Sequence, residues 1–363
     1  MTCGLFLFDR SGVFFTIDHC IFIPAKNNQK MRKTLPYLVI LLLAVSCSPR
    51  EKHQKVGFNG LAQGTYYAVT YYEPEGRNFQ AGIDSLLRAF DMSVSVWEPS
   101  SVISRINRGE DQVICDEVFI NTYLLARKVA EESGGAFDYT VGPLVNAWGF
   151  GAEGRREISQ ALIDSLLPYI GYEMVRLEGS QIIVEKDGIR FDFNAVAQGY
   201  SVDLAGAYLA SRGIENFLID IGGEILARGQ KPGEGPWVVG IERPAREELS
   251  ERQLESMVHL NNRAMATSGN YRKFYEEDGI RYSHTIDPQT GYPVTHTLLS
   301  VSVVADDCGS ADAWATAFMV MGLDKALKVL ETKEGLDAFF IYSDSDGSMQ
   351  TYATEGLKEI MVK

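Results

Sequence analysis

The sequence predicts an α+β protein, with mixed and antiparallel sheets flanked by helices in a single catalytic or binding body over residues 57 to 363. Three observations carry that expectation. Short β-branched and aromatic runs recur across Gly-containing turns, which makes meanders. Longer runs with apolar positions at helical spacing fall among them without the regular strand–helix alternation of a parallel sheet. No GxGxxG follows a first strand and no GxxxxGKS or GxxxxGKT occurs, so the usual nucleotide cradles are missing.

Taken in order, "TYYAVTYYEP" is a strand and "FQAGIDSLLRAFDMS" an amphipathic helix. "EVFINTYLLARKVAEESGG" is a helix stopped by Gly134 and Gly135, and "SQALIDSLLPYIG" is another, capped by Ser159. "MVRLEGSQIIVEKDGIRFDF" reads as three short strands turning at Gly179 and at Asp187-Gly188. It feeds into "NAVAQGYSVDLAGAYLASRG", a helix closed by Gly213. Strands follow at "FLIDIGG", "EILARG", "WVVGIE" and "SVSVVA", then the helix "GSADAWATAFMVMG", the helix "DKALKVLETKEG" and a final strand near "AFFIYS". There is no internal repeat or low-complexity tract.

The 363 residues, 45% hydrophobic and 23% charged, suffice for a substantial core. A net charge of −14 leaves no electrostatic footprint for nucleic acid, so any bound phosphate must be held by local groups. "MRKTLPYLVILLLAVSC" has basic residues, a short apolar run and small residues before Cys47, the pattern of a secretory signal. The apolar run is too short to span a bilayer comfortably, which takes about 20 residues. "AVSC" resembles the bacterial lipoprotein signal, in which the cysteine is lipidated; Ala44 stands where Leu is commoner. Residues 31 to 46 are therefore expected to be a signal peptide, Cys47 the lipidated terminus, and 47 to 56 a polar tether. Asp9 and Asp18 do not suit a signal, and residues 1 to 30 are expected to be an extension upstream of a true start at Met31. Without residues 1 to 46 the net charge becomes −17. Only Cys115 and Cys308 remain after Cys47, with no metal-ligand spacing, which argues against a disulfide framework and structural zinc and leaves room for one disulfide at most.

Several stretches hold residues suited to chemistry. In "GSADAWATAFMVMG" the apolar helix is broken only by Asp312 and Thr316, one turn apart on one face. One reading has Ser310 as N-cap, Asp312 complementing the dipole in the first turn and Thr316 bonding back to it. "GGAFDYTVGPLVNAWGFG" has five glycines, a proline and four aromatics, too irregular for a helix. It is either a packed connection or a loop that brings backbone close to a ligand, with Asp138 accepting hydrogen bonds. "FDFNAVAQGYSVD" puts Asp192 and Asn194 at a helix start, where N–H groups meet anions; Asn194 is otherwise an N-cap. "ATSGNYRKFY" is an anion loop or a turn. His284 in "YSHTIDPQTGYPV" lies beside two turns, well placed for acid–base work.

Together with "QGTYYAVTYY", "MSVSVWEPSSVISRIN" and "IDIGGEILARG", these stretches occur in the order found in the FAD:protein FMN transferases, the ApbE family, which the chain resembles over roughly residues 57 to 360. The resemblance implies Mg2+-dependent transfer of FMN from FAD to a Thr or Ser hydroxyl of an acceptor protein, forming a phosphoester and releasing AMP. It implies acceptors such as subunits of a sodium-pumping quinone reductase or an Rnf-type complex, and an exported enzyme lipid-anchored to a bacterial membrane. Asp312, Thr316 and the carbonyl of Ala195 match the family's metal ligands, oxygen donors that suit Mg2+. Gln63, Trp97, Ala136, Phe137, Asp138, Asp192, Gln198 and Ile286 match FAD contacts. His284 matches the histidine beside the reacting phosphate and is the candidate to take the hydroxyl proton.

Three positions depart from the family pattern. Gln63-Gly64-Thr65 replaces the usual Met-Gly-Thr, Trp97 stands where Tyr is common, and Gln198 where Lys or Glu is common. Two other functions compete: a Mg2+-dependent FAD pyrophosphatase, in which water replaces the acceptor, and a non-catalytic FAD-binding lipoprotein.

Overall fold

The computed structural model describes residues 53–244, 253–270, 274–277 and 280–363. The expected signal peptide, Cys47 and the expected upstream extension lie outside the described residues. Eight strands form the main sheet: β1 (Gln54–Ala62), β2 (Thr65–Glu73), β5 (Phe217–Ile221), β6 (Glu224–Arg228), β9 (Ala264–Gly269), β12 (Leu298–Ala305), β13 (Asp337–Ser343) and β14 (Met349–Ala353), adjacent in that order. Every ladder in it is antiparallel. Three two-stranded ladders stand apart from it: β3 (Val175–Glu178) with β4 (Gln181–Val184), β7 (Trp237–Glu242) with β8 (Leu254–Leu260), and β10 (Phe274–Glu277) with β11 (Ile280–Ser283).

Between β2 and β5 the chain makes six helices: α1 (Gln80–Val94), α2 (Val102–Asn107), α3 (Glu117–Glu132), α4 (Gly142–Ala147), α5 (Gln160–Leu166) and α6 (Asn194–Ser211). Then α7 (Cys308–Met321) and α8 (Leu323–Leu330) join β12 to β13, and α9 (Glu355–Ile360) ends the chain. Strand alternation divides the core. On β5, Phe217, Ile219 and Ile221 pack with α1 and α6, while Leu218 faces the opposite layer with Trp237 and Val239 of β7. The sheet thus has helices on one face and the β7–β8 hairpin with α9 on the other.

Three expectations need correction. The segment 189–193 forms no third strand after β4; Arg190 makes only a parallel bridge to Val141, and Asn107 brackets Phe191 by accepting from its N–H and donating to its carbonyl. The stretch 134–151 does contain a helix, the six-residue α4 started by Pro143. Strand β1 begins at Gln54, so the end of the stretch read as tether is an edge strand. Ser159 caps α5 as expected, accepting from Leu162 N–H, and Gly134 and Gly135 take positive φ after α3. Cys115 and Cys308 are both buried free thiols.

Candidate active site

α6 and α7 cross so closely that a side chain at their contact is excluded. A Cβ on Gly199 would lie 2.4 Å from the Cys308 carbonyl oxygen and 2.8 Å from the Asp312 Cβ. With glycine there, the Gly199 N–H reaches Asp312 Oδ2 at 3.0 Å. In a regular helix that N–H serves the carbonyl four residues back, which is Ala195. Ala195 itself departs from helical geometry, with φ −90° and ψ 15°. Two of the three expected oxygen ligands thus flank one irregularity: the first turn of α6 departs from helical geometry at Ala195, and the Gly199 amide donates to the carboxylate of Asp312. Thr316, one turn on, faces Ser268 of β9, with the hydroxyls 3.1 Å apart.

The dipole account of Asp312 does not survive this geometry. The N-cap of α7 is Asp307, not Ser310: its carboxylate accepts from Ser310 N–H at 2.7 Å. Asp203 of α6 accepts from the N–H groups of Cys308 and Gly309, each at 2.8 Å. The free amides of the helix start are thus already satisfied, and Asp312 stands in the second turn. Burial pushes its carboxyl up to about 7, with repulsion from Asp203 adding and the Gly199 amide opposing. Such a group is costly to keep ionised without a cation.

Asn194 is not an N-cap either; Phe193 occupies that place, and the Asn194 N–H donates to Asp192 Oδ1 at 2.8 Å. Burial raises the Asp192 carboxyl, held partly in check by Asn194. Asp138 is used internally: Oδ1 accepts from the backbone and hydroxyl of Thr140, and Oδ2 from Tyr172 N–H at 2.9 Å. Its carboxylate ties the glycine-rich loop, which also carries Ala136 and Phe137, to the 3₁₀ turn Tyr172–Met174.

All twelve expected site residues in the described region line one cavity of about 1150 Å³. That exceeds the range of about 300–1,000 Å³ usual for small-molecule pockets, and leaves room for a dinucleotide. Asp312, Thr316 and Ala195 lie at the α6–α7 contact, with Asp192 and Gln198 beside them. The Gln198 amide donates to the Ile221 carbonyl at 2.7 Å, an approach open only because Gly222 has no Cβ. Gln63 and Gly64 have φ of 53° and 73°, a type I′ turn between β1 and β2. The Gln63 side chain accepts from Ser201 at 3.3 Å, while its buried Nε2 has no acceptor among the described residues.

Ile286 is buried beside the turn that returns through Pro293, and His284 lies edge-on to Phe150 with ring centroids 6.3 Å apart. Trp97 is 61% exposed, a large aromatic surface facing the cavity. Residues not singled out by sequence complete the lining: Asp91, Glu98, Asp220, Glu224 and Glu242, Phe150, and Val238 and Leu254 of the β7–β8 hairpin. Among the described residues, the lining has eight carboxylates and no Lys or Arg. An anionic substrate there needs cations that those residues do not supply.

The fold and the cavity define a single-body α+β enzyme with a dinucleotide-sized cleft walled by oxygen donors. The ApbE family model matches residues 63–340, and the chain belongs to the ApbE family. It is 33% identical over 342 residues to an FAD:protein FMN transferase of Vibrio cholerae, covering 92% of this chain and 100% of that one. An FAD:protein FMN transferase of Escherichia coli K12 is 35% identical over 343 residues, 90% of this chain and 96% of its own. The flavin transferase ApbE of Vibrio cholerae superimposes with a TM-score of 0.76 at 32% identity, covering 85% of this chain and 99% of that chain. The ApbE protein of Thermotoga maritima gives the same TM-score at 29% identity, covering 85% and 100%.

Proposed function

We propose that this chain transfers FMN from FAD to a Thr or Ser hydroxyl of an acceptor protein, releasing AMP. The observation that carries the reading is the convergence of the expected FAD contacts, the oxygen donors and His284 on one cavity. The donor set fits Mg2+: a buried carboxylate, a hydroxyl and a backbone carbonyl, in a cleft whose described lining has no cationic side chain. When bound, Mg2+ supplies polarisation of the pyrophosphate and neutralises charge on the departing AMP. The Nε2 of Gln63, without an acceptor among the described residues, offers FAD a donor, and the exposed face of Trp97 offers a stacking surface for its rings.

His284 takes the proton of the acceptor hydroxyl as its oxygen attacks the FMN phosphorus. A phosphoester bond forms between acceptor and FMN, the bond to the AMP phosphate breaks, and AMP leaves. Asp138 keeps the glycine-rich loop in place by its bonds to Thr140 and Tyr172. The enzyme works outside the cytoplasm, tethered through lipidated Cys47, on subunits of membrane electron-transfer complexes of the sodium-pumping quinone reductase or Rnf type.

Incubation with FAD, Mg2+ and an extract of exported proteins, followed by mass spectrometry, should give a protein carrying covalent FMN. AMP and free FMN with no labelled protein would establish the pyrophosphatase instead. FAD binding without turnover would establish a carrier.

A further inference from the structure

The cavity has one wall made of backbone rather than side chains. Three consecutive residues of β7, Val238, Val239 and Gly240, line it. Successive strand side chains point to opposite faces, so a cleft that meets three in a row meets the strand edge. β7 pairs with β8 on one side only; among the described residues no strand pairs with its other side.

The register shows which groups that edge presents. The Met257 carbonyl accepts from Val362 N–H at 2.8 Å, so at Met257 the backbone of β8 points away from β7. Met257 is opposite Gly240, and His259 is opposite Val238. In an antiparallel pair, facing residues either exchange both bonds or turn both sets of groups outward. Val238 and Gly240 therefore turn their N–H and C=O groups away from β8, toward the open side. No hydrogen bond from a described residue outside the β7–β8 pair reaches them.

The edge is also apolar. Val238 is 41% and Leu254 58% exposed, and Gly240 lacks the Cβ that would come 2.5 Å from Leu254 Cδ2, so Leu254 lies over the strand. Natural sheets usually protect such an edge with charge, Pro or a covering segment, because it pairs readily with another extended chain.

We propose that the acceptor protein docks by strand addition: an extended segment bearing the target Thr or Ser pairs with β7 through Val238 and Gly240. The proposal rests on the transferase reading above, which requires a protein segment to enter this cavity. Main-chain bonds then supply affinity with little demand on sequence, and apolar or small side chains of the segment meet Val238 and Leu254. The paired strand leads the hydroxyl into the cleft that also holds His284.

The test uses the full-length enzyme and the protein that acquires FMN in the transfer assay, with a ten-residue peptide spanning its modified residue as probe. Val238→Pro deletes an outward N–H and leaves the β7–β8 ladder bonds in place. Its KM for acceptor should rise tenfold or more, a larger change than in its dissociation constant for FAD. In the wild-type enzyme, saturating peptide should slow hydrogen exchange at the Val238 and Gly240 amides, a readout that no misfolded variant can confuse. Unchanged exchange at both amides while FMN transfer proceeds would overturn strand addition alone. If no protein acquires FMN, the transferase reading falls and this proposal with it.

Discussion

The two ends of the cavity are built on opposite principles. At the α6–α7 contact, polar groups are buried and their positions fixed: Gly199 admits Asp312, Asp203 and Asp307 bind the start of α7, and Thr316 meets Ser268. At the mouth, Trp97, Tyr66, Val238 and Leu254 are four of the ten large hydrophobic side chains left exposed among the described residues. The floor is arranged before any ligand arrives, which is what stabilising charge in a transition state requires. Apolar surface at the mouth gains by being covered, which is what recognising a second macromolecule requires. Substitutions in the floor should cost chemistry, and fold as well where they disturb the helix contact, whereas those at the mouth should cost affinity alone.

The largest effect is expected at Asp312. Asp312→Ala should lower cation-dependent turnover by about 10³ or more, the loss of several kcal/mol of charge stabilisation. Its unfolding midpoint in chelator should not fall, because a buried carboxyl that burial already drives toward neutrality is removed. Full turnover in that variant would end the metal assignment. Gly199→Ala comes next, and here fold and chemistry should fail together. Overpacking against backbone costs roughly 1–3 kcal/mol, and the same methyl displaces Asp312. Urea unfolding and Mn2+ titration followed by electron paramagnetic resonance should both register it. A stability loss without a change in Mn2+ affinity would separate the helix contact from the ligand set.

The contrast also explains what could be read beforehand. Asp312 and Thr316 stood out because a polar pair at one-turn spacing is visible in an apolar helix. Gly199 and Asp203 did not stand out as parts of the floor, because their importance arises only when α6 meets α7 more than a hundred residues away. Ser310 looked like the cap, since nothing local shows that Asp203 reaches the amides of Cys308 and Gly309 and that α7 starts three residues earlier. Edge elements were the least legible. β1 carries glycines where a sheet strand usually carries side chains; at Gly60 a Cβ would come 2.6 Å from the Tyr67 ring. β8 alternates too weakly to be seen without its partner, although β7, with Trp237, Val239 and Ile241 buried, was plain.

At the mouth, Trp97→Ala should raise the FAD dissociation constant by about two- to tenfold, the range expected for one aromatic stacking contact of roughly 0.5–1.5 kcal/mol. Stability should change by no more than about 0.5 kcal/mol, as for other exposed positions. Fluorescence titration with FAD and thermal unfolding would measure both. A large fall in melting temperature would place Trp97 with the floor and erase the contrast.

At Asp203 the expected effect is on stability rather than turnover, and it appears only as a function of pH. Burial pushes its carboxyl up to about 7, with Asp307 adding to the rise, while the amides of Cys308 and Gly309 and the charge of Arg228 oppose it. A carboxyl raised in the folded protein favours folding fully below its ordinary value of 3.8, and that contribution is lost as pH climbs through about 7. In chelator, wild-type stability should therefore decline on this account between about pH 4 and pH 7. Asp203→Asn has no proton to lose, so its urea midpoint should improve relative to wild type from pH 5 to pH 8. A difference that stays constant with pH would mean that the two helix amides, rather than burial, govern this carboxyl. The floor would then carry a permanent negative charge beside Asp312 even without a cation.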